Sequence, residues 1–159
     1  MKPLFSSQEE YSAFVKRHCT VKQPVWKLER PFGRMALGID AGSTTVKAVL
    51  VDDNGNIFNP LYVPNSGNPV PIIKQYLEEM YSKWPGIEIS AAASTGYGEE
   101  IVKSAFGVDY GVVETVAHLT AAQHFCPDVD FILDIGGQDI KCFRIRNGAT
   151  EIGRASCRE

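Results

Sequence analysis

The sequence predicts an α/β fold with a mixed sheet, followed by the opening hairpin of a second unit. Three observations predict this fold. Three strand-like segments joined by short turns begin near Met35, and helical and strand-like segments alternate after them. Two acidic, glycine-containing turns, at residues 38–45 and 134–139, each lie between apolar runs. The predicted order is β-β-β-α-β-α-α-β-β.

The amino-terminal residues 1–34 are predicted to form a lead-in helix and a linker. Two serines followed by two glutamates make a capping box that predicts a helix to about Arg17, with Tyr11, Phe14 and Val15 on one face. Residues 20–33 contain prolines and little periodicity, which is typical of a linker.

The next segment predicts three antiparallel strands at residues 35–40, 45–52 and 57–63. The last two are joined by a turn containing Asn54-Gly55, a pair that tolerates the positive φ of a type I′ turn. A helix follows, capped by Asn68 and ended by Pro85-Gly86. We expect its apolar stripe to lie on the sheet, and the stripe comprises Val70, Ile73, Leu77, Met80, Tyr81 and Trp84.

The remaining segments complete the predicted fold. A strand at 87–94, reached through a helix, should run parallel to the first strand. Helices at 99–106 and 113–125 and strands at 131–134 and 140–146 follow. A three-stranded meander followed by α-β crossovers is the opening half of the actin-like, or ribonuclease-H-like, ATPase architecture. The domain prediction is therefore a first actin-like subdomain at 35–127 and the first hairpin of a truncated second subdomain at 128–149.

Composition limits the kinds of partner. The chain has 159 residues, 44% hydrophobic and 22% charged, with a net charge of -3. These values predict a globular domain without the basic surface that nucleic acid requires. No apolar stretch has membrane-spanning length, so we expect no membrane association and a cytoplasmic location. The cysteines lack C-x-x-C spacing and predict neither disulfides nor a metal site, and they are Cys19, Cys126, Cys142 and Cys157.

The first glycine-containing turn, Gly-Ile-Asp-Ala-Gly-Ser-Thr-Thr at 38–45, suggests a hairpin around phosphate. Glycine lets the backbone approach an anion closely, and amide N–H groups of the turn then point at it. Asp40 is a candidate ligand of Mg²⁺, directly or through water. Gly42 and the hydroxyls of Ser43, Thr44 and Thr45 are candidates for phosphate binding. The alternative is a β-turn rich in small residues.

The second turn, Asp-Ile-Gly-Gly-Gln-Asp at 134–139, is the more informative one. Adjacent glycines are unfavourable in β structure unless the backbone must come close to another group. Asp134 is a second candidate for Mg²⁺ binding and catalysis, and Gly136, Gly137 and Asp139 for phosphate binding. Gln138 could orient the attacking water, or it could be an exposed turn residue.

Four further side chains carry two interpretations each. Lys47 and Lys141 follow the two turns and could contact phosphate, or they could be lysines at a sheet edge. Glu114 and His118 share a helical face and could support the site or a partner contact. The alternative for His118 is a histidine hydrogen-bonded by its neighbour.

Four motifs occur in order between about residues 35 and 149: Leu-Gly-Ile-Asp-Ala-Gly-Ser-Thr-Thr-Val-Lys, Thr-Gly-Tyr-Gly, Glu-Thr-Val-Ala-His and Asp-Ile-Gly-Gly-Gln-Asp-Ile-Lys. With them the chain resembles the activases of 2-hydroxyacyl-CoA dehydratases and benzoyl-CoA reductases, the BadF/BadG/BcrA/BcrD-type ATPases of the actin-like superfamily. The resemblance implies ATP or ADP with Mg²⁺ between two subdomains, and a [4Fe-4S] cluster bridging a homodimer. It also implies ATP-driven, low-potential electron transfer into a dehydratase or reductase partner.

The resemblance also implies that parts of the protein lie beyond this chain. In that family the cluster cysteines follow the second hairpin, so we assign no cysteine here as an iron–sulfur ligand and expect the cluster only in a longer parent protein. Residues 151–159 back-translate to DNA containing a common sequencing adapter, so we interpret 150–159 as an artefact and expect the natural protein to continue beyond about Ala149.

The leading functional hypothesis is part of an ATP-dependent activase. The alternatives are an actin-like sugar kinase and a non-catalytic nucleotide-sensing module of a larger protein. For the chain alone we expect weak or absent ATPase activity and exposed apolar surface.

Overall fold

The computed structural model describes residues 3–18, 31, 33–136, 140–146 and 149–155. Its helices are α1 Gln8–His18, α2 Pro69–Lys83, α3 Glu99–Phe106 and α4 Glu114–Phe125. Its strands are β1 Arg34–Ala41, β2 Thr45–Val51, β3 Ile57–Pro64, β4 Glu88–Thr95, β5 Tyr110–Gly111, β6 Phe131–Ile135, β7 Ile140–Arg146 and β8 Ala149–Ala155. In the described part of the chain, no helix is both long and apolar enough to cross a bilayer.

The strands form two sheets. The larger sheet has the order β3-β2-β1-β4-β5, with β1 antiparallel to β2 and parallel to β4. The smaller sheet has the order β6-β7-β8 and is antiparallel. The predicted α/β class, the meander and the parallel fourth strand are confirmed. Strands β5 and β8 were not predicted, and β8 lies largely in the segment that we attribute to an adapter.

The core lies between the larger sheet and helices α2 and α3. Alternate residues of β1 and β2 are buried, which is the pattern of a sheet with one covered face. The predicted stripe of α2 is confirmed at Ile73 and Met80, which belong to this core. The prediction was wrong for Tyr81, which is 46% exposed, and it omitted Tyr76, which is buried. The reason is that Tyr76 lies one turn from both Ile73 and Met80, on the face toward the sheet.

The helix caps follow the sequence signals. The side chain of Asn68 accepts a hydrogen bond from Val70 N, with Pro69 at the start of α2. At α1, Glu10 N donates to Ser7 Oγ at 3.3 Å, and the Glu10 carboxylate accepts from Ser6 N at 2.7 Å. The capping box is therefore confirmed. Helix α1 has no buried residue, and most of the predicted linker at 20–33 lies outside the described residues.

The turn between β2 and β3 differs from the predicted type I′. Gly55 has φ +79°, but Asn54 does not have the positive φ that a type I′ turn requires. Asp52 explains the difference, because its carboxylate accepts from the backbone N–H groups of Asn54 and Asn56 and from the Asn56 amide. The hydrogen bond from the Asn56 side chain is the main cause of a lowered pKa at Asp52.

Helix α4 lies near the other face of the larger sheet. Its residues Ala117, His118 and Ala121 share a cavity of about 290 Å³ with Gly38 and Val49 of the sheet. This placement brings α4 between the larger sheet and the β6–β7 hairpin. On β6, the exposed apolar surface expected from the sequence is present, since alternate residues are half-exposed or more, namely Phe131, Leu133 and Ile135.

Tyr76 provides a prediction about stability. Its hydroxyl donates to Asn59 O at 2.9 Å, and burial raises its pKa to about 12. Between pH 10 and 12 the folded state keeps a proton that the unfolded state loses, so this contribution to the free energy of unfolding should decrease as pH rises. We expect Tyr76→Phe to cost about 1 kcal/mol at pH 7 and to lose this alkaline dependence.

The measurement is urea unfolding at pH 7 and at pH 11, with Tyr81→Phe as the control on the exposed side of the same helix. An identical alkaline loss of stability in wild type and Tyr76→Phe would contradict the assignment.

Candidate functional site

A polar cleft lies between the β1–β2 turn and the β6–β7 hairpin. Its volume is about 630 Å³. Both predicted acidic residues, Asp40 and Asp134, line it. The other lining residues are Gly42, Ser43, Thr44, Thr45, Lys47, Tyr62, Tyr97, Glu114, His118, Ile135, Gly136 and Lys141. The two turns, which are almost a hundred residues apart in sequence, therefore face one shared space.

Asp40 lies near the end of β1, directly opposite Lys47 on β2. Lys47 Nζ is 2.7 Å from Asp40 Oδ2, and the other oxygen, Oδ1, is buried without a hydrogen-bond partner among the described residues. A buried carboxylate oxygen without a donor is unfavourable unless a ligand, ion or water occupies the space beside it. The sheet-edge interpretation of Lys47 is wrong, because β2 lies between β3 and β1.

Asn65 fixes the loop between β1 and β2. Its side-chain amide donates to Gly42 O at 2.8 Å, and its backbone N–H donates to Thr44 O at 2.8 Å. These bonds leave the hydroxyls of Ser43 and Thr44 beside the cleft. Sequence reasoning missed Asn65, because its partners Gly42 and Thr44 lie more than twenty residues earlier in the chain.

We expect Asn65→Ala to lower the free energy of unfolding by about 1–2 kcal/mol, because Gly42 O loses its donor. The same change should also weaken nucleotide binding, because the loop loses its fixed shape. This loss of affinity should be larger than the small loss of stability alone would cause. Chemical unfolding and calorimetric titration with a nucleotide would measure the two effects. Asn68→Ala, which removes a cap outside the cleft, is the control. Equal nucleotide affinity in wild type and Asn65→Ala would contradict the role.

The Thr-Gly-Tyr-Gly turn at 95–98 lies against the end of β1. Gly98 N donates to Ala41 O at 2.8 Å. Gly96 has φ +87°, and a Cβ built there would lie 2.6 Å from Asp40 Oδ1. Only a glycine can occupy this position next to Asp40 without displacing it. Tyr97, the third residue of this turn, is 91% exposed and lines the cleft.

Helix α4 contributes two side chains that bond the β6–β7 hairpin. His118 Nδ1 is 2.7 Å from Asp134 Oδ2, and Lys141 Nζ is 3.1 Å from Glu114 Oε2. The alternative that Glu114 bonds His118 is therefore wrong, since each residue contacts the hairpin instead. The sheet-edge interpretation of Lys141 is also wrong, because Lys141 is 6% exposed and its ammonium contacts Glu114 of α4.

Three predicted site residues, Gly137, Gln138 and Asp139, lie outside the described residues. Gly136, just before them, lines the cleft. The structure thus brings together all the predicted residues of the first turn with Asp134, Gly136 and Lys141 of the second.

The residues present suit a magnesium ion but not an iron–sulfur cluster. Mg²⁺ prefers hard oxygen ligands, which the buried Oδ1 of Asp40 and the carboxylate of Asp134 provide. Among the described cysteines, Cys126 is exposed and Cys142 bonds Gly153 O, and neither belongs to a group of three close potential ligands. Cys19 and Cys157 lie outside the described residues.

The sequence matches one protein family over residues 37–152, the BadF/BadG/BcrA/BcrD ATPase family. Among curated proteins, the (R)-2-hydroxyglutaryl-CoA dehydratase activating ATPase of Acidaminococcus fermentans is 31% identical over 115 residues. This alignment covers 70% of the present chain and 43% of the relative. The chain therefore spans less than half the length of that relative.

Two solved structures are similar to this fold. The crystal structure of the Acidaminococcus fermentans (R)-2-hydroxyglutaryl-CoA dehydratase component A gives a TM-score of 0.62 at 26% identity, over 76% of this chain and 48% of that one. The activator of the 2-hydroxyisocaproyl-CoA dehydratase from Clostridium difficile, with bound ADPNP, gives 0.62 at 25% identity, over 76% and 46%. The family match, over residues 37–152, includes both turns that line the cleft.

Proposed function

This chain belongs to the BadF/BadG/BcrA/BcrD ATPase family, and from that premise we propose that it supplies the phosphate-binding part of an ATP-dependent activase. The whole protein would couple ATP hydrolysis to low-potential, one-electron transfer into an acyl-CoA dehydratase or reductase. The observation that carries the proposal is the shared cleft, lined by Asp40 from one sheet and Asp134 from the other.

The first turn is suited to bind phosphate from one side. Asn65 holds the loop in place, which lets Ser43, Thr44 and Thr45 present hydroxyls along one edge of the cleft. Lys47 places an ammonium group within reach of Asp40 and of the cleft. A triphosphate is strongly anionic, and ammonium and hydroxyl donors are the groups that bind it.

The second turn is suited to close the cleft from the opposite side. Asp134 and Gly136 line it, and Gln138 is proposed to orient the water that attacks the terminal phosphate. Asp40 and Asp134 are the residues proposed to hold Mg²⁺, directly or through water. Magnesium, when bound, neutralises phosphate charge and aligns the terminal phosphate for hydrolysis. Gly137 and Asp139 belong to the same proposed phosphate contact.

The proposal extends to the longer protein in which we expect this chain to occur. For that longer protein we propose a [4Fe-4S] cluster, a homodimer, a dehydratase or reductase partner and a cytoplasmic location. They rest on the family resemblance, and no residue described here is assigned to the cluster. For that protein, ATP-dependent reduction of the partner is the expected activity. A cluster-free preparation that still passed electrons to the partner would contradict it.

Nucleotide binding to the 159-residue chain tests the phosphate-binding part directly. Calorimetric titration with ADPNP should show binding that strengthens when Mg²⁺ is added. ATP turnover by the chain should stay near the uncatalysed background, because the resemblance implies that the adenosine-binding part of the second subdomain lies beyond this chain. Absence of any magnesium effect on ADPNP binding would overturn the proposed role of the two aspartates.

A further inference from the structure

We propose that Glu114, His118 and Asp134 form a binding site for a divalent transition metal of the Zn²⁺, Fe²⁺ or Mn²⁺ class. One carboxylate oxygen from each acidic residue and one ring nitrogen of His118 all lie within 4.8 Å of one another. Glu114 and His118 are one helical turn apart on α4, so their side chains leave the same face. Asp134 reaches them from β6, with its Oδ2 2.7 Å from His118 Nδ1.

The mixture of ligand atoms selects the kind of metal. An imidazole nitrogen suits zinc, iron, nickel and copper, and carboxylate oxygens extend that range to manganese. Magnesium prefers six oxygen ligands and keeps several waters. A site with one nitrogen and two carboxylates should therefore favour a transition metal over Mg²⁺. The site shares Asp134 with the proposed magnesium complex, and the ring nitrogen of His118 is the ligand that distinguishes the two metals.

The charges around the trio favour a cation. Glu114 and Asp134 contribute two negative charges, and Lys141, 3.1 Å from Glu114, contributes one positive charge, so these three side chains sum to -1. A divalent ion changes this sum to +1. The side of the cleft that carries Asp134 would then attract anionic oxygen rather than repel it.

The position of the trio suggests an open coordination site. All three residues line the 630 Å³ cleft, and none of them is buried. Three protein ligands leave at least one coordination position for water or for an oxygen of a bound molecule, as in catalytic metal centres. The metal would also join α4 to the β6–β7 hairpin, because its ligands come from both elements.

Metal binding by the full chain tests this inference without any nucleotide. The probe is Co²⁺, which reports inner-sphere ligands through its visible absorption, and Zn²⁺ competition gives the affinity. We expect one saturable Co²⁺ spectrum in wild type that a large excess of Mg²⁺ does not remove. His118→Asn and Glu114→Gln should each weaken binding by about 100-fold. His124→Asn, on the same helix and outside the cleft, should leave it unchanged.

Three results would overturn the inference: equal Co²⁺ binding in wild type and His118→Asn, loss of binding in His124→Asn alone, or displacement of Co²⁺ by equimolar Mg²⁺. Circular dichroism of each variant ensures that the comparison is between folded proteins, and Glu114→Gln retains the test should His118→Asn unfold. Because ADPNP is absent, failure here leaves the proposed nucleotide binding intact. Conversely, failure of ADPNP to bind leaves the cobalt result intact.

Discussion

Gly96→Ala is expected to lower the free energy of unfolding by about 3 kcal/mol or more. Two effects add at this position. An alanine at φ +87° is strained, and its Cβ would lie 2.6 Å from Asp40 Oδ1 and 2.9 Å from the carbonyl carbon and oxygen of Ala41. The neighbours cannot yield easily, because Ala41 belongs to β1 and is fully buried.

Gly67→Ala is the matched control for this prediction. Gly67 has φ +88°, and a Cβ there meets no atom within 4 Å. It therefore carries the backbone strain without the clash, and we expect a loss of about 1 kcal/mol. Urea unfolding of both variants measures the difference. Equal losses would show that close approach to Asp40 contributes nothing, which would contradict the argument.

Asp40→Asn is expected to weaken binding of Mg²⁺–ADPNP by about 100-fold, equivalent to about 3 kcal/mol. The substitution keeps the shape of the side chain but removes the charge that faces the cleft. It also removes the partner of Lys47, whose side chain is 37% exposed, so that its ammonium can be solvated instead. The fold should therefore tolerate the change better than the site does.

The magnesium dependence of binding distinguishes a ligand of the metal from a merely structural residue. In wild type, ADPNP affinity should rise when Mg²⁺ is added, and in Asp40→Asn this rise should be much smaller. Asp53→Asn, an exposed carboxylate in the β2–β3 turn, provides the control. A full magnesium effect in Asp40→Asn would rule out the proposed role of this carboxylate.

The strands and helices of the larger sheet could be predicted because their signals are local. Residues close in sequence determine these elements. Examples are the alternating apolar residues of β1 and β2 and the helix cap at Asn68. Strand β5 carries no such signal. Its two residues, Tyr110 and Gly111, are a strand only because they pair with β4. The β2–β3 turn was mispredicted for a different reason: the Asn-Gly pair was considered alone, without the local hydrogen bonds that Asp52 accepts from Asn54 and Asn56.

The candidate site was predictable in its acidic and hydroxyl residues but not in its contacts. The run Gly38–Ile39–Asp40 predicts, from the sequence alone, a strand with a carboxylate near its end. The pairing of His118 with Asp134 depends on where α4 lies relative to β6, which no local pattern determines. Asn65 was missed for the same reason, since its partners Gly42 and Thr44 are about twenty residues earlier. The chemical roles of these residues remain predictions.

The two walls of the cleft differ in how firmly the chain holds them. Asp40 belongs to β1, whose backbone is bonded on both sides, to β2 and to β4. Asp134 belongs to β6, which among the described strands is an outer one and pairs with β7. Partial opening of the chain should release β6 long before β1. A bound nucleotide would therefore contact Asp40 on a firmly held strand and Asp134 on a strand that opens more easily. We expect its dissociation to begin on the side of Asp134.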